Sequence, residues 1–413
     1  MGTPCLSVAS VRERYRWAAR QGRPSWLWPD ISPTRWQAAL VTIEASVRCA
    51  LRGEDPARPL DGDPSAMGLA CYTSGLGPLL GFWAGQGRVS ASRDIAAVLD
   101  LHLRHNRVRT RRLAAEARAL CVALAGHQRL SVTLLGGLHT GPIYFPAPET
   151  RPLSDLDLMV EARDGPVIAA MLARRGFDPA IGASTRPPRR WVRPEVSAHP
   201  RTLDYLHADD PWSVDLHLSL DRLGPAGINA LRFDRPETHG MREPWPVCSE
   251  AMVLSQPLLL LHLAVRASRD FRNLTLLRLV ELALVVRHDE AAGRLSWPAF
   301  VALAERVGAL GAAYPALRLC EQLVSGTVPP DVLESAWRRA PAVARRFVER
   351  LTPASAHRVT RYSITEKIMW ATSRRSALRQ LGAQLVSSDA NPLSVFFPGH
   401  RQADDRFQPL VGR

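Results

Sequence analysis

Apolar residues recur at helical spacing in the first and last thirds of the chain. In the first, this spacing predicts helices over residues 34–51 and 93–125, separated by a Gly/Pro/Asp-rich loop over 53–65 that cannot hold a helix. The helical spacing returns at residue 249. It predicts helices over residues 251–267, 274–286, 297–307, 312–324, 330–350 and 364–385, followed by a poorly ordered tail.

The middle of the chain has a different pattern, in which short apolar runs alternate with Gly and Pro turns. A helix-like segment at 166–176 lies among runs at 131–135, 156–160, 201–208 and 213–220. This alternation is typical of strands and helices layered in one domain. We therefore predict an α+β fold with an N-terminal helical region (1–126), an α/β core (127–245), a C-terminal helical domain (246–351), and a helix with a flexible tail (352–413).

Composition fits a globular protein with two or three domains. A chain of 413 residues is long for one hydrophobic core, and its 46% hydrophobic and 22% charged residues argue against wholesale disorder. The formal net charge is +14 and comes almost entirely from arginine, because Lys367 is the single lysine. A basic field attracts nucleotides, nucleic acids and anionic lipids alike, but no basic segment is interleaved with aromatic residues. We therefore favour a small anionic substrate over a nucleic acid.

The cysteines occur singly, without the close Cys/His spacing of a zinc site. We expect buried thiols in a reducing cytosol. The N-terminus lacks the apolar stretch of a signal peptide, and the most apolar run, residues 257–265, is too short to cross a bilayer. These features predict a cytoplasmic protein with no membrane span. The cysteines are Cys5, Cys49, Cys71, Cys121, Cys248 and Cys320.

Two aspartates lie two positions apart at the start of the run at 156–160. In a strand, Asp155, Asp157 and Met159 would share one face, and their apolar neighbours would share the other. Two carboxylates this close repel one another unless a cation neutralises them, and Mg²⁺ prefers such oxygen ligands. The spacing therefore requires a metal ion or an arginine beside the pair, and Mg²⁺ is the metal it favours. The alternative is an ordinary half-exposed antiparallel strand, in which such pairs also occur.

The run at 213–220 repeats this arrangement. Its polar residues, including Asp215 and His217, alternate strictly with apolar ones. If the two strands are neighbours in one sheet, Asp215 points at the same pocket as Asp155 and Asp157. Three such carboxylates can hold two Mg²⁺ ions about 4 Å apart, an arrangement that activates an attacking hydroxyl and stabilises the leaving pyrophosphate.

These motifs resemble a known family when they are taken together. The segments at 134–160, 214–220 and 258–286 resemble the bacterial uncharacterised nucleotidyltransferase family of the polymerase-β-like superfamily, and the most specific part is Arg151 with Asp155-x-Asp157. The resemblance implies a small mixed β-sheet flanked by helices. It also implies transfer of a nucleoside monophosphate from a nucleoside triphosphate to a hydroxyl, with release of pyrophosphate.

The resemblance assigns roles to residues of this sequence. Asp155 and Asp157 would bind the metal, and Asp215 would be the third carboxylate, either as a ligand or as the general base for the acceptor hydroxyl. Gly136 and Gly137 would form the turn that holds the phosphates, since glycine lets backbone N–H groups approach an anion closely.

The glycine turn departs from the family pattern. Members commonly have a lysine before the second glycine, and other branches have a serine after the first, whereas this chain has Gly136 and Gly137. Phosphate binding would then depend on backbone N–H groups and on arginine. Arg151 is a candidate because its planar fork can hold two phosphate oxygens, and the alternative is a surface pair with Glu149.

Other polar residues have two interpretations each. His217 orients Asp215, binds substrate or is a hydrogen-bonded structural residue, and His139 either contacts phosphate or is solvated. The cluster at 186–195 is either a substrate-closing loop or a solvated insertion, whereas the basic run at 104–112 is interpreted as an exposed helix face. Acceptor contacts or helix-to-helix ion pairs would explain His262, Arg269, Asp270, Arg278 and Glu281.

The sequence thus predicts a Mg²⁺-dependent nucleotidyltransferase with a nucleoside triphosphate, taken to be ATP, as its substrate. The acceptor would be a small molecule, a peptide or a protein rather than a nucleic acid. Two alternatives stay open. One is a catalytically degenerate module that binds a nucleotide or a partner, and the other is a toxin–antitoxin-like modifier of a protein or tRNA.

Overall fold

The fold is α+β, with one mixed sheet and helices around it, as the sequence predicted. The computed structural model describes residues 27–54, 58–126, 130–180, 190–196, 200–218, 220, 240–269 and 274–356, together with 11, 13, 14, 18, 370, 375 and 378. Most of the helix expected at 364–385 and the tail after it lie outside these residues.

Within the described residues, seven strands form the sheet in the order β3-β4-β5-β2-β1-β7-β6. The central strands β2 and β5 run parallel, as do β1 and β7, and the remaining neighbours are antiparallel. The strands are β1 Thr133–Leu134, β2 Leu156–Met159, β3 Asp178–Pro179, β4 Arg190–Val192, β5 Val214–His217, β6 Arg242–Trp245 and β7 Cys248–Leu254.

Two expectations about secondary structure in and after the α/β core are wrong. The run at 201–208 forms turns and irregular structure. The helix expected over 251–267 begins only at Leu258, because residues up to Leu254 belong to β7, which pairs with β1 through Thr133↔Met252. A fully buried strand and a buried helix have the same apolar composition, which explains the error. The sheet therefore extends beyond the boundary expected at 245.

The helices predicted at 34–51 and 93–125 are confirmed almost to the residue. Two short apolar helices between them were not predicted. The described helices are α1 Pro33–Arg52, α2 Pro64–Ser74, α3 Gly77–Gly85, α4 Arg93–Ala125, α5 Gly137–Tyr144, α6 Gly165–Arg174, α7 Leu258–Arg269, α8 Leu276–Ala291, α9 Trp297–Arg306, α10 Leu310–Leu323, α11 Pro330–Arg339, α12 Ala342–Val348 and α13 Pro353–Ala356.

Local residue choices explain several helix ends. The Ser32 side chain caps α1 by accepting from the Arg35 N–H, and Gly53 ends it in the left-handed conformation (φ 69°). Asp63 caps α2 in the same way, so the end of the expected loop already belongs to a helix. Pro341 separates α11 from α12 and divides the single helix expected at 330–350.

Two hydrophobic cores organise these elements. The first is shared by the N-terminal helices α1 to α3 and the C-terminal helices α7, α8 and α10. The second lies under the sheet, against α6 and the second half of α4. The long helix α4 contributes Leu99 to the first core and Leu113 to the second, so it connects the helical layer to the strands that carry the aspartates.

No helix in the described part of the chain is long and apolar enough to span a membrane. The described cysteines are free thiols, and all except Cys49 are buried, as expected. Cys5 lies outside the described residues.

Candidate functional site

The fold brings the three aspartates singled out in the sequence to one place. Strands β2 and β5 pair in parallel with Asp157 opposite Asp215, and Asp155 lies just before β2. One carboxylate oxygen from each aspartate lies within 4.8 Å of those of the other two. Parallel register therefore places residues from two distant parts of the chain in one acidic cluster.

Asp157 is the most enclosed of the three. It is 5% exposed, and β2 is buried on both faces, so the alternative of an ordinary half-exposed strand is wrong. Its Oδ1 lies 2.7 Å from His217 Nε2, and its Oδ2 accepts from Arg266 Nη2 at 2.6 Å. The interpretation of His217 as the residue that orients Asp215 is therefore wrong, because His217 contacts Asp157.

Asp215 is held by a different set of partners. Arg190 Nε donates to its Oδ1 at 2.8 Å, and Arg190 Nη2 contacts its Oδ2, so one edge of the guanidinium binds both carboxylate oxygens. The hydroxyl of Ser213 donates to the same Oδ1 at 2.9 Å. Arg190 comes from the cluster interpreted as a closing loop or solvated insertion, and its strand β4 is part of the sheet.

Asp155 and Asp157 differ in charge behaviour. Burial, followed by the charges of Asp157 and Asp215, raises the pKa of Asp155 to about 6. Burial also works to raise the pKa of Asp157, but Arg266 and His217 outweigh burial and hold that pKa well below its usual range. Asp157 is therefore ionised at neutral pH, and Asp155 takes up a proton near pH 6.

The glycine turn lies directly beside the carboxylates. Gly136 has φ 62° and ψ −138°, a conformation available to glycine, and α5 begins at Gly137. A Cβ at position 136 would lie 3.2 Å from both Arg266 Nη1 and Asp157 Oδ2. The turn thus places the start of a helix beside Asp157 and Arg266.

Arg151 connects this turn to the C-terminal helices. Its Nε and Nη2 donate to Glu281 of α8 at 3.1 and 3.3 Å, and the Thr140 hydroxyl donates to the same carboxylate. The pair with Glu149 considered for Arg151 is therefore wrong, since Glu149 pairs with Arg107. Arg151 also lies close to Gly137, where a Cβ would be 2.7 Å from its Nη1.

Arg109 holds the backbone segments that lead into β2 and β5. This residue of α4 is completely buried, and it donates to Leu153 O (2.6 Å) and Ser154 O (3.2 Å) before β2, and to Asp210 O (2.6 Å) and Pro211 O (2.8 Å) before β5. The interpretation of the run at 104–112 as an exposed face is therefore wrong for Arg109.

Sequence reasoning also missed Arg266. Its signal was a single charged residue within the apolar run of α7, one helical turn after His262, which is itself buried. A charge on a buried helix face requires a partner, and the acidic pair had been identified independently. Neither interpretation of His139 holds: it is fully buried under the turn, so it is not solvated and has no exposed surface for a phosphate.

The donor set suits a hard divalent cation. All three groups offer carboxylate oxygens, and an ion that holds its ligands at about 2.1 Å places opposite ligands about 4.2 Å apart, close to the spacing of the cluster. Two of the carboxylates pair with guanidinium groups, so the cluster binds positive charge within the chain. The residues therefore fit Mg²⁺.

Comparison with known proteins agrees with this geometry. The model of the uncharacterised nucleotidyltransferase family matches residues 75–325, a range that contains the sheet, the glycine turn, α4 and the first C-terminal helices. No curated protein and no solved structure matches the chain. The family match covers more than half of the 413 residues, and the chain therefore belongs to the uncharacterised nucleotidyltransferase family.

Proposed function

We propose that this chain is a Mg²⁺-dependent nucleotidyltransferase with a polymerase-β-like active site. It would transfer a nucleoside monophosphate from a nucleoside triphosphate, with ATP as the first to test, to an acceptor hydroxyl. The observation that carries the proposal is the convergence of three aspartates from two parallel strands beside a glycine turn that opens a helix.

Each group has a specific part in this proposal. Asp155, Asp157 and Asp215 would hold one or two Mg²⁺ ions, which supply charge neutralisation at the transferring phosphorus and lower the pKa of the attacking hydroxyl. The backbone N–H groups at Gly136 and Gly137 would bind phosphate oxygens. Arg151 and His217 would act in support, since Arg151 fixes the turn to α8 and His217 orients Asp157.

The acceptor is proposed to be a small molecule or a peptide rather than a nucleic acid. The arginine-rich run of α4 makes intramolecular contacts: Arg104 pairs with Asp100, Arg107 with Glu149, and Arg109 binds buried carbonyls. With these arginines already partnered, the run provides less of the free positive surface that a nucleic acid backbone requires. A cytoplasmic location follows from the proposed substrate, because nucleoside triphosphates and Mg²⁺ are abundant there.

A second candidate is a catalytically degenerate module that binds a nucleotide or a partner. One observation favours it: Asp157 and Asp215 both have arginine partners, so their charge is satisfied within the chain. The two candidates differ in whether binding depends on metal and whether pyrophosphate is released.

Thermal unfolding with ATP, with and without Mg²⁺, tests the proposal. A ligand present at 100 times its Kd stabilises a protein by about 2.7 kcal/mol, so Mg²⁺ and ATP together should raise the Tm measurably. The substitution Asp155→Asn should abolish that rise, because it removes a ligand without disturbing either arginine pair. Asp178→Asn, on the exposed edge strand β3, is the matched control and should leave the rise intact.

Pyrophosphate release provides the second measurement. With Mg²⁺, ATP and a mixture of hydroxyl acceptors, the unmodified chain and Asp178→Asn should release pyrophosphate, and Asp155→Asn should not. ATP binding that needs no metal and survives Asp155→Asn, with no pyrophosphate from any mixture, would instead support the degenerate module.

A further inference from the structure

Arg266 occupies a carboxylate that the proposed metal would need. Its Nη2 donates to Asp157 Oδ2 at 2.6 Å, and its side chain is 20% exposed. A guanidinium and a metal ion at the same carboxylate repel one another and are attracted by the same negative charge. A metal ion bound to Asp157 therefore weakens the Arg266 hydrogen bond and favours its transfer to an anion.

The surroundings of Arg266 show where it can go. Its Nη1 lies 3.2 Å from the position of a Cβ on Gly136, so the guanidinium fills the space above the glycine turn. That turn precedes the N-terminus of α5, and the same turn is proposed to hold phosphate oxygens. A small rotation would keep the guanidinium beside the turn and transfer its hydrogen bond from Asp157 to a phosphate.

A second arginine lies on the same side of the site. Arg278 of α8 is partly buried, and among the described residues no carboxylate forms an ion pair with its guanidinium. Burial and then the charge of Arg266 lower the pKa of Arg278 to about 10, so it remains protonated at neutral pH. An anion that enters beside Arg266 therefore meets two guanidinium groups.

The site as a whole is balanced in charge before any ligand enters. Four acidic side chains face four basic ones, and a metal ion alone would leave an excess of positive charge, whereas a triphosphate alone would leave an excess of negative charge. Uncompensated charge is costly in a buried site. The acidic residues are Asp155, Asp157, Asp215 and Glu281, and the basic residues are Arg151, Arg190, Arg266 and Arg278.

We propose that Arg266 is a triphosphate-binding residue that changes partner: it neutralises Asp157 in the metal-free protein and binds the triphosphate once Asp157 holds a metal ion. Metal and triphosphate then bind with positive coupling, because each removes the charge excess that the other creates. The inference rests on the proposed function, since it uses the same carboxylates and the same glycine turn.

The test uses the full chain with two probes, Mn²⁺ alone and inorganic tripolyphosphate in saturating Mg²⁺. In Arg266→Met, Mn²⁺ should bind about tenfold more tightly than in the unmodified protein, because no internal cation competes for Asp157. Tripolyphosphate should bind about tenfold more weakly, because one charge-assisted hydrogen bond is lost. Isothermal titration calorimetry measures both affinities.

Three variants make the result specific. Arg266→Lys keeps the charge and should fall between the unmodified protein and Arg266→Met for both probes. Arg266→Gln is a second charge-removing change and should behave like Arg266→Met, so the test does not depend on one variant folding. Arg306→Met removes the same charge from an exposed position of α9 and should change neither affinity.

Opposite changes in the two affinities support the partner change, since a residue that only maintains the fold would weaken both. If Mn²⁺ binds the unmodified protein but binds the charge-removing variants equally or more weakly, the partner change is wrong and the metal site stands. If Mn²⁺ binds none of these proteins, the proposed function fails, and this inference fails with it.

Discussion

Two arginines near the acidic cluster have opposite kinds of partner. Arg109 is completely buried and donates to four backbone carbonyls, which cannot change their charge or leave the fold. Arg266 is one-fifth exposed in its side chain and donates to a carboxylate that the proposed metal would also use. The two arginines therefore have different roles. Arg109 holds the backbone before β2 and β5 in place, whereas Arg266 is a counter-ion that a metal ion can replace, and the partners of each arginine determine its role.

The largest expected effect comes from removing Arg109. Arg109→Met leaves four buried carbonyls without their donor, which should lower the free energy of unfolding by about 3–5 kcal/mol. Because these carbonyls precede β2 and β5, the spacing of Asp155 and Asp215 should also loosen, and Mn²⁺ affinity should fall. Urea unfolding and Mn²⁺ titration measure the two effects.

The matched control is Arg104→Met on the same helix. Arg104 is 64% exposed in its side chain and pairs with Asp100 at the surface, so its removal should cost less than about 1 kcal/mol. Equal losses for the two variants would mean that the carbonyl contacts of Arg109 contribute no more than a surface ion pair. Arg109 would then not be a fixed structural residue that differs from Arg266.

The sequence predicted the positions of the three aspartates but not their partners. The alternation of polar and apolar residues located Asp155, Asp157 and Asp215, because a strand period of two is a local property. The partners of these aspartates depend on parallel register and on helix docking, which join residues up to about a hundred positions apart. Such contacts leave no local pattern, so the sequence left the role of His217 open and did not reveal its contact with Asp157.

The sequence signals for Arg109 and Arg266 were weaker, and they can be interpreted only with the structure. In α4 the buried stripe runs through Leu99, Leu103, Asn106, Arg109 and Leu113, so the helical spacing of the core passes through two polar residues. Counting only apolar residues made this stretch appear to be an exposed basic face. Apolar spacing also failed to identify β7 as a strand, since its apolar residues fit either a strand or a helix.

The next expected effect is at the glycine turn, beside Arg266. Gly136→Ala forces a side chain into a backbone conformation that costs about 1–3 kcal/mol, and its Cβ also meets Arg266 and Asp157. Gly87→Ala is the control, because Gly87 has φ 73° with open space around it. Thermal unfolding should show a larger loss for Gly136→Ala, and similar losses would indicate that Arg266 moves aside freely.

Lowering the pH should affect the acidic cluster more than the region around Arg109. The pKa of Asp155 is raised to about 6 by burial and then by the other two carboxylates, so below pH 6 a proton increasingly occupies this ligand. Mn²⁺ affinity should therefore fall by up to about tenfold for each pH unit between pH 6 and pH 5, and vary less above pH 7. Titration at several pH values measures the trend, and a flat profile would exclude Asp155 as a ligand.

The same raised pKa has a consequence for the metal-free protein. Between the ordinary pKa of 3.8 and about 6, the unfolded chain releases the Asp155 proton before the folded chain does, so stability falls as pH rises through this window. Asp155→Asn should remove this component and make the metal-free protein less sensitive to pH there. The effect of Arg109→Met should not depend on Asp155, because carbonyl oxygens do not titrate.

The smallest expected effect concerns the Ser213 hydroxyl, which contacts Asp215. It tests whether this hydroxyl keeps Asp215 in place when a metal ion replaces Arg190. The Ser213 hydroxyl donates to Asp215 Oδ1 at 2.9 Å, and this residue is 1% exposed. Ser213→Ala should cost about 0.5–1.5 kcal/mol, the net value of one hydrogen bond. If the hydroxyl keeps Asp215 in place whether Arg190 or a metal ion neutralises it, the loss should be the same with and without Mn²⁺. A loss confined to the metal-free protein would mean that Ser213 supports the arginine pair alone, and Asp215 would then behave like the fixed partners of Arg109 rather than like Asp157, the partner of Arg266.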